Sequence, residues 1–194
     1  NKLSQVPASD SFSRTGEIGI YKKMERGKSY VIGADVAEGV GKDYSVGDVW
    51  CIDDNEQVAQ FRGHLSPGDF GELLYQMGKL YSHGPSWPML IVERNNHGHA
   101  VLLKLDDLGY PNLWTDTDDR PGHRTTSLSR PLLLDQFIAA VQDNLIKINF
   151  RETLAECLTL IDNNGKIEAD SGKHDDCIIA AALALKASLE AFAK

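Results

Sequence analysis

Tyr30-Val31-Ile32-Gly33-Ala34-Asp35-Val36 is an apolar run of strand length with a carboxylate near its end. Both alternating sets of side chains are apolar, so a strand built from it is covered on both faces and lies inside a sheet. An unpaired carboxylate on such a strand costs on the order of 2–7 kcal/mol for the polar group alone, so Asp35 has to be paired, protonated or ligated. The simpler alternative is a strand-end Asp that faces solvent or caps a turn.

Working outward, Ser45 to Ile52 and Gln57 to Gly63 read as strands joined by a turn at Asp53-Asp54-Asn55, and with the first strand they predict a three-stranded antiparallel meander. Strands and helices then alternate. Pro67 and Asp69 precede Phe70, Leu73, Leu74, Met77 and Leu80 at helical spacing, with an end near Gly84-Pro85. Met89 to Glu93 is a strand, His99 to Leu108 a helix stopped by Gly109, and Asn112 to Trp114 a short strand. Pro131 begins a helix that continues from Leu132 to Asn144; Ile146 to Ile148 is a strand, Thr153 to Ile161 a helix and Lys166 to Ala169 a strand. A last helix runs from Asp175 to about Ala193. Residues 115–130 are long for an idle connection and form a candidate functional or mobile loop. Residues 1–27 are expected to be a linker or arm, to which Glu17 to Tyr21 could add a short strand, and residues 28–194 one domain. This order predicts an α/β fold with a mixed, mostly parallel sheet, an antiparallel meander plus parallel strands, flanked by helices; it is the element order of the ribonuclease H-like fold.

Two further acidic motifs stand beside Asp35. Glu93 closes the apolar strand Met89 to Val92 and is followed by Arg94-Asn95-Asn96-His97-Gly98-His99, with Gly98 freeing the backbone before a helix. In open sheets of this class, sites lie at the carboxyl ends of strands; a Glu93 paired to Arg94 is the simpler alternative. His174-Asp175-Asp176 opens Cys177 to Leu185, which is apolar all round and therefore a buried helix. One Asp would satisfy helix capping, whereas two adjacent acids favour a ligand role for at least one. Asp43 reads as an auxiliary metal group or an ordinary turn residue. Glu38 to Ser45 is not a phosphate loop, because Val36 stands where that pattern requires its first Gly and Asp43 where it requires Ser or Thr. His97 and His99 lack a third His or Cys nearby and read as solvated loop histidines rather than zinc ligands. Two divalent ions about 3.5–4 Å apart need a bridging and flanking carboxylates, and hard oxygen ligands select Mg or Mn. Asp35, Glu93 and one or both of Asp175 and Asp176 meet that need.

The ordered set resembles the C-terminal nuclease domain of the large terminase subunit of tailed bacteriophages. Gly33-Ala34-Asp35-Val36-Ala37-Glu38-Gly39 with Lys42-Asp43-Tyr44-Ser45 is similar to its first acidic motif, Val92 to Gly98 to the second and Gly172 to Asp176 to the third. Gly109 to Leu113 and Pro121 to Thr126 through Arg130 resemble the pattern between them, and the likeness covers roughly residues 28–193. It implies a ribonuclease H-like fold and endonucleolytic cutting of concatemeric double-stranded viral DNA at the start and end of genome packaging. The family's N-terminal packaging ATPase has no Walker motif here, and a piece of a longer protein is expected. The implied partners are double-stranded DNA, that ATPase domain, the portal and the small terminase subunit, in the cytoplasm of the infected bacterial host. The expected reaction is two-metal phosphodiester hydrolysis, one ion lowering the pKa of the attacking water and the other stabilising the leaving 3′ oxygen. The expected catalytic and metal residues are Asp35, Glu93, Asp175 and Asp176, with Asp43 auxiliary. Lys42, Arg94, His123, Arg124, Arg130, Lys173 and His174, in or beside the motif loops, are expected phosphate contacts; each alone also reads as a solvated surface charge.

Composition constrains this reading. The chain has 194 residues, 25% of them charged, and no apolar run of membrane-spanning length or signal-peptide pattern. Cys51, Cys157 and Cys177 form no CxxC pair, which argues against a disulfide framework and fits a reducing compartment. The net charge of -8 opposes DNA binding by bulk electrostatics. A nuclease then needs its negative charge concentrated where ions neutralise it, and another domain or subunit to supply most of the grip. The rival readings are a Holliday-junction resolvase of the same fold, a nonenzymatic packaging or assembly module in which the acids only cap and pair, and a nucleotide-binding domain, which the failed phosphate-loop pattern weakens.

Overall fold

The computed structural model describes residues 16–37, 44–163 and 166–191. Five strands, β1 (Gly16–Ile20), β2 (Tyr30–Asp35), β3 (Ser45–Cys51), β4 (Glu56–Gly63) and β5 (Met89–Val92), form one sheet in the order β1-β4-β3-β2-β5. The helices are α1 (Pro67–Leu80), α2 (Gly98–Asp107), α3 (Ser129–Gln142), α4 (Arg151–Cys157) and α5 (Asp176–Ala191), and a separate hairpin pairs β6 (Leu160–Asn163) with β7 (Lys166–Ala169). Among the described residues no helix is long and apolar enough to cross a membrane.

β2 lies inside the sheet, and all six of its residues are buried. Its side chains alternate between two cores, as the period of two requires. Ile32 and Ala34 join Val49, Phe61 and the α1 and α2 residues Phe70, Leu74, Val101 and Leu105 on one face. Val31 joins Trp50, Ile91 and the α3 and α5 residues Leu134, Phe137, Ile178 and Leu183 on the other. The second face changes character over β3 and β4. Asp48 and Gln57 are 0% exposed and Gln60 is 3%; Gln57 donates to Asp48, and Gln57 and Gln60 both donate to Thr153 of α4.

The meander and the parallel β2–β5 pair match expectation; the balance of directions does not. β1–β4, β4–β3 and β3–β2 are antiparallel, and β2–β5 is the one parallel pair among the described strands. The expected strands at 112–114 and 146–148 contribute single bridges, Leu90 with Leu113 and Glu56 with Lys147, so among the described residues β5 is the one strand after α1 that joins the five-stranded sheet. The helix expected to reach Ile161 stops at Cys157. The backbone N–H and hydroxyl of Thr159 both turn back to the Glu156 carbonyl, and Leu160 and Ile161 pair with Ala169 and Glu168. The short strand foreseen near residues 17–21 is β1, the sheet edge beside β4.

Candidate active site

With Ala34 opposite Val92 in the parallel pair, β2 and β5 end side by side. Asp35 closes β2, Glu93 follows β5, and the Glu93 amide donates to the Ala34 carbonyl at 2.8 Å. Burial first, then the charge of Glu93 and the close approach of its side chain, then the charges of Asp176 and Asp175, push the Asp35 carboxyl well above the usual carboxylate range. The acids from three distant motifs therefore act on one carboxyl.

α5 brings the third motif. A Cβ at Gly33 would meet the Ala180 carbonyl oxygen at 2.0 Å and the Ala184 nitrogen at 2.5 Å, so helix and strand pack backbone against backbone. Small residues on both partners permit that approach, and it delivers Asp176, the first residue of α5, to the Asp35 end of the sheet. Asp176 is 8% exposed; its Oδ2 accepts the Tyr44 amide at 3.1 Å and lies 3.5 Å from His174 Nδ1. Asp175 is ion-paired with Arg130.

Asn95 ties the motif ends together. Its Nδ2 donates to the Val36 carbonyl at 2.8 Å and to Glu93 Oε2 at 3.2 Å, while its Oδ1 accepts the amides of His97 and Gly98 at the start of α2. Gly98 is required for space: a Cβ there would stand 2.0 Å from the Glu93 carbonyl oxygen. Glu93 does not pair with Arg94 in the way the simpler reading supposed, because Arg94 is turned to Asp116 at 2.5 Å.

Among the described residues, no group of three or more His, Cys, Asp or Glu side chains is arranged to hold a metal ion. The partners explain how four acids meet without such an arrangement. Burial and the neighbouring acids push Asp35 towards its neutral form, Asp175 faces Arg130, and Asp176 faces a backbone amide and His174. Each of these offsets like-charge repulsion, as a cation would. The donor set is all carboxylate oxygen, the chemistry that suits a hard divalent ion.

The expected phosphate contacts separate into groups. Lys42 and the auxiliary Asp43 lie outside the described residues. Arg124 and Lys173 are exposed, and His174 is half-buried beside Asp176. Arg130 is engaged by Asp175. Arg94 is committed to Asp116 with its side chain 8% exposed. The His123 ring packs edge-on against Trp114, and burial first, with Lys186 next, holds its pKa below the usual histidine value. His123 also serves through its backbone, donating to the Val92 carbonyl at 2.8 Å and accepting from the Arg94 amide at 2.7 Å. The 115–130 connection is thereby fastened to the end of β5.

Asn95, Tyr44, Arg62 and Glu156 were given no role from sequence. Asn95 carried a signal, since an Asn just before a helix commonly accepts the free amides of the first turn. The Arg62 guanidinium lies 3.3 Å over the Tyr44 ring, and Tyr44 contacts Asp176 through its backbone, which no residue pattern announces.

No protein-family model matches the chain, and no curated protein matches it in sequence. Solved structures do match. The large terminase nuclease from thermophilic phage G20c with bound magnesium is 20% identical with a TM-score of 0.72, over 90% of this chain and 89% of that one. The large terminase nuclease domain of Thermus phage P74-26 is 20% identical with a TM-score of 0.67, over 89% of this chain and 86% of that one. The nuclease domain of the bacteriophage SPP1 large terminase with bound Mn is 14% identical with a TM-score of 0.50, over 86% of this chain and 97% of that one. The chain has the ribonuclease H-like fold of these phage large terminase nuclease domains.

Proposed function

We propose that the chain is a divalent-metal-dependent endonuclease, the nuclease domain of a tailed-phage large terminase subunit, which cuts concatemeric double-stranded DNA during genome packaging. The observation that carries this reading is the meeting of Asp35, Glu93, Asp175 and Asp176, from two strand ends and one helix start, where the other three acids all act on the buried Asp35 carboxyl. Mere capping or surface pairing gives no reason to bring four acids together. The fold shared with nuclease domains solved with bound magnesium, cobalt and Mn supports the same reading.

Asp35, Glu93, Asp176 and Asp175 would hold two ions, Mg or Mn, with Asp43 auxiliary. Bound there, the ions supply a lowered pKa for the attacking water and charge stabilisation at the leaving 3′ oxygen. The protein's own groups set the stage. Asn95 fixes the Glu93 carboxylate, and the Tyr44 amide fixes that of Asp176. Arg130, released from Asp175, joins Arg124, Lys173, His174 and Lys42 as a contact to backbone phosphates, which imposes little sequence preference. Arg94 and His123 act through the loop they hold.

With a net charge of -8 the domain's own grip on DNA is weak and salt-sensitive, so the packaging ATPase domain, portal and small terminase subunit present the substrate in the host cytoplasm. Plasmid cleavage with Mn or Mg tests the proposal. Wild type cuts, Asp35→Asn and Glu93→Gln do not; undiminished cutting by either variant removes that residue from the site. Preference for a four-way junction over linear duplex would favour the resolvase alternative, and absence of divalent-ion binding in calorimetry the nonenzymatic one.

A further inference from the structure

A buried carboxylate outside the acid cluster holds the helix that carries half of it. Glu156 of α4 is 7% exposed, and its Oε2 accepts the amides of Cys177 at 2.8 Å and Ile178 at 3.2 Å. These are the second and third residues of α5, among the N–H groups that a helix start leaves without an intrahelical partner. A carboxylate at that end is also favoured by the helix dipole. Such a cap ordinarily comes from the residue just before the helix, which here is Asp175. In this fold it arrives from another helix, 21 residues upstream. Capping was the simpler account of the paired aspartates, and Glu156 supplies it in their place.

Glu156 Oε1 and Arg62 Nε are both buried without a hydrogen-bond partner, and the charge of Glu156 acts on the Arg62 guanidinium. Arg62 in turn lies over the Tyr44 ring, and the Tyr44 amide holds Asp176 Oδ2. Asp176 is thus braced twice from the polar strip of the sheet, at its helix by Glu156 and at its carboxylate through Arg62 and Tyr44. We propose that Glu156 is a positioning residue: by capping α5 from α4 it leaves Asp175 and Asp176 for the ions and fixes where Asp176 stands. This rests on the metal-dependent reading above.

The test compares wild type with Glu156→Ala, Glu156→Asp and Glu156→Gln by Mn titration, read as the midpoint of cleavage activation, the Mn affinity in calorimetry and the melting temperature without metal. Groups that orient metal ligands typically change affinity by about 10–100-fold when removed. Glu156→Ala is expected to move the Mn midpoint and affinity at least about tenfold, with the rate at saturating Mn reduced far less. Glu156→Asp, too short to reach both amides, moves them in the same direction. Glu156→Gln keeps an acceptor oxygen for both and stays closest to wild type. A lowered melting temperature with wild-type Mn midpoint and affinity in the Ala variant would make Glu156 a purely structural cap and overturn the proposal. If Glu156→Ala does not fold, wild-type Mn affinity in Glu156→Asp overturns it equally. Failure of wild type itself to bind Mn would instead overturn the nuclease reading.

Discussion

Gly33→Ala tests the link between packing and site with a single methyl group. The new Cβ would stand 2.0 Å from the Ala180 carbonyl oxygen and 2.5 Å from the Ala184 nitrogen, both backbone atoms of α5 that cannot rotate aside. Restoring ordinary contact at 3.4 Å requires α5 to withdraw from β2 by roughly 1.4 Å. Overpacking of this kind costs about 1–3 kcal/mol where neighbours can give; against helix backbone the upper end applies. For a domain of this size about 3 kcal/mol lowers the melting temperature by about 6–12 °C. The larger effect falls on the chemistry, because Asp176 moves with the helix and a misplacement of about 1 Å costs on the order of 100-fold in rate. Two controls separate this from a general sensitivity to Gly→Ala. At Gly47 the added Cβ meets the end of the Leu74 side chain at 2.9 Å, which can turn away, and at Gly68 it meets nothing within 4 Å. Thermal melts and Mn-dependent plasmid cleavage on the three variants give the answer. A Gly33→Ala protein with wild-type melting temperature and wild-type rate would refute the backbone contact and its role in placing Asp176.

Three further outcomes follow from the same structure. Asp35→Asn removes a carboxyl that is unfavourable when ionised, so without metal the variant should melt above wild type at pH 8 while Mn no longer stabilises it; a lower metal-free melting temperature would contradict this. Burial, opposed by hydrogen bonds from Trp50, Gln57 and Gln60, pushes the Asp48 carboxyl up to about 7. Because the folded state holds that proton more tightly than the unfolded chain, its stabilisation is complete below the ordinary carboxyl value of 3.8 and lost as pH rises through about 7. Denaturant melts from pH 4 to 8 should show this loss shrinking in Asp48→Asn, and an unchanged pH profile would refute it. Arg130→Ala takes the cation away from Asp175, so the Mn midpoint should fall by about threefold, roughly 0.6 kcal/mol, while duplex DNA binds more weakly in a salt titration; a raised Mn midpoint would show that Arg130 does not compete with the ion.

The doubly covered strand and its terminal acid were legible because Tyr30 to Val36 is apolar in both alternating sets, and that alone places Asp35 at the end of a buried element. Glu93 and the His174 to Asp176 start of α5 were legible for the same reason, as polar ends of wholly apolar segments. What escaped were groups whose meaning is tertiary. Asp48, Gln57 and Gln60 read as ordinary polar positions on strands, yet they face one another and α4 across the sheet. Glu156 reads as a solvated helix residue, and only the arrival of α4 at the first turn of α5 turns it into a cap. Leu154, Leu158 and Ile161 share helical spacing, but Leu158 is 87% exposed and Ile161 belongs to β6, so periodicity over one extra turn carried the helix too far. Adjacency in sequence sets Arg94 against Glu93 or a phosphate, whereas in the fold its partner is Asp116, 22 residues on.

The decisive measurement is anomalous diffraction from crystals of this domain soaked in Mn. Two ions are expected between the ends of β2 and β5 and the start of α5, held by Asp35, Glu93 and Asp176, with Asp175 turned away from Arg130. Full Mn exposure that leaves no ion between these acids would overturn the metal-dependent reading.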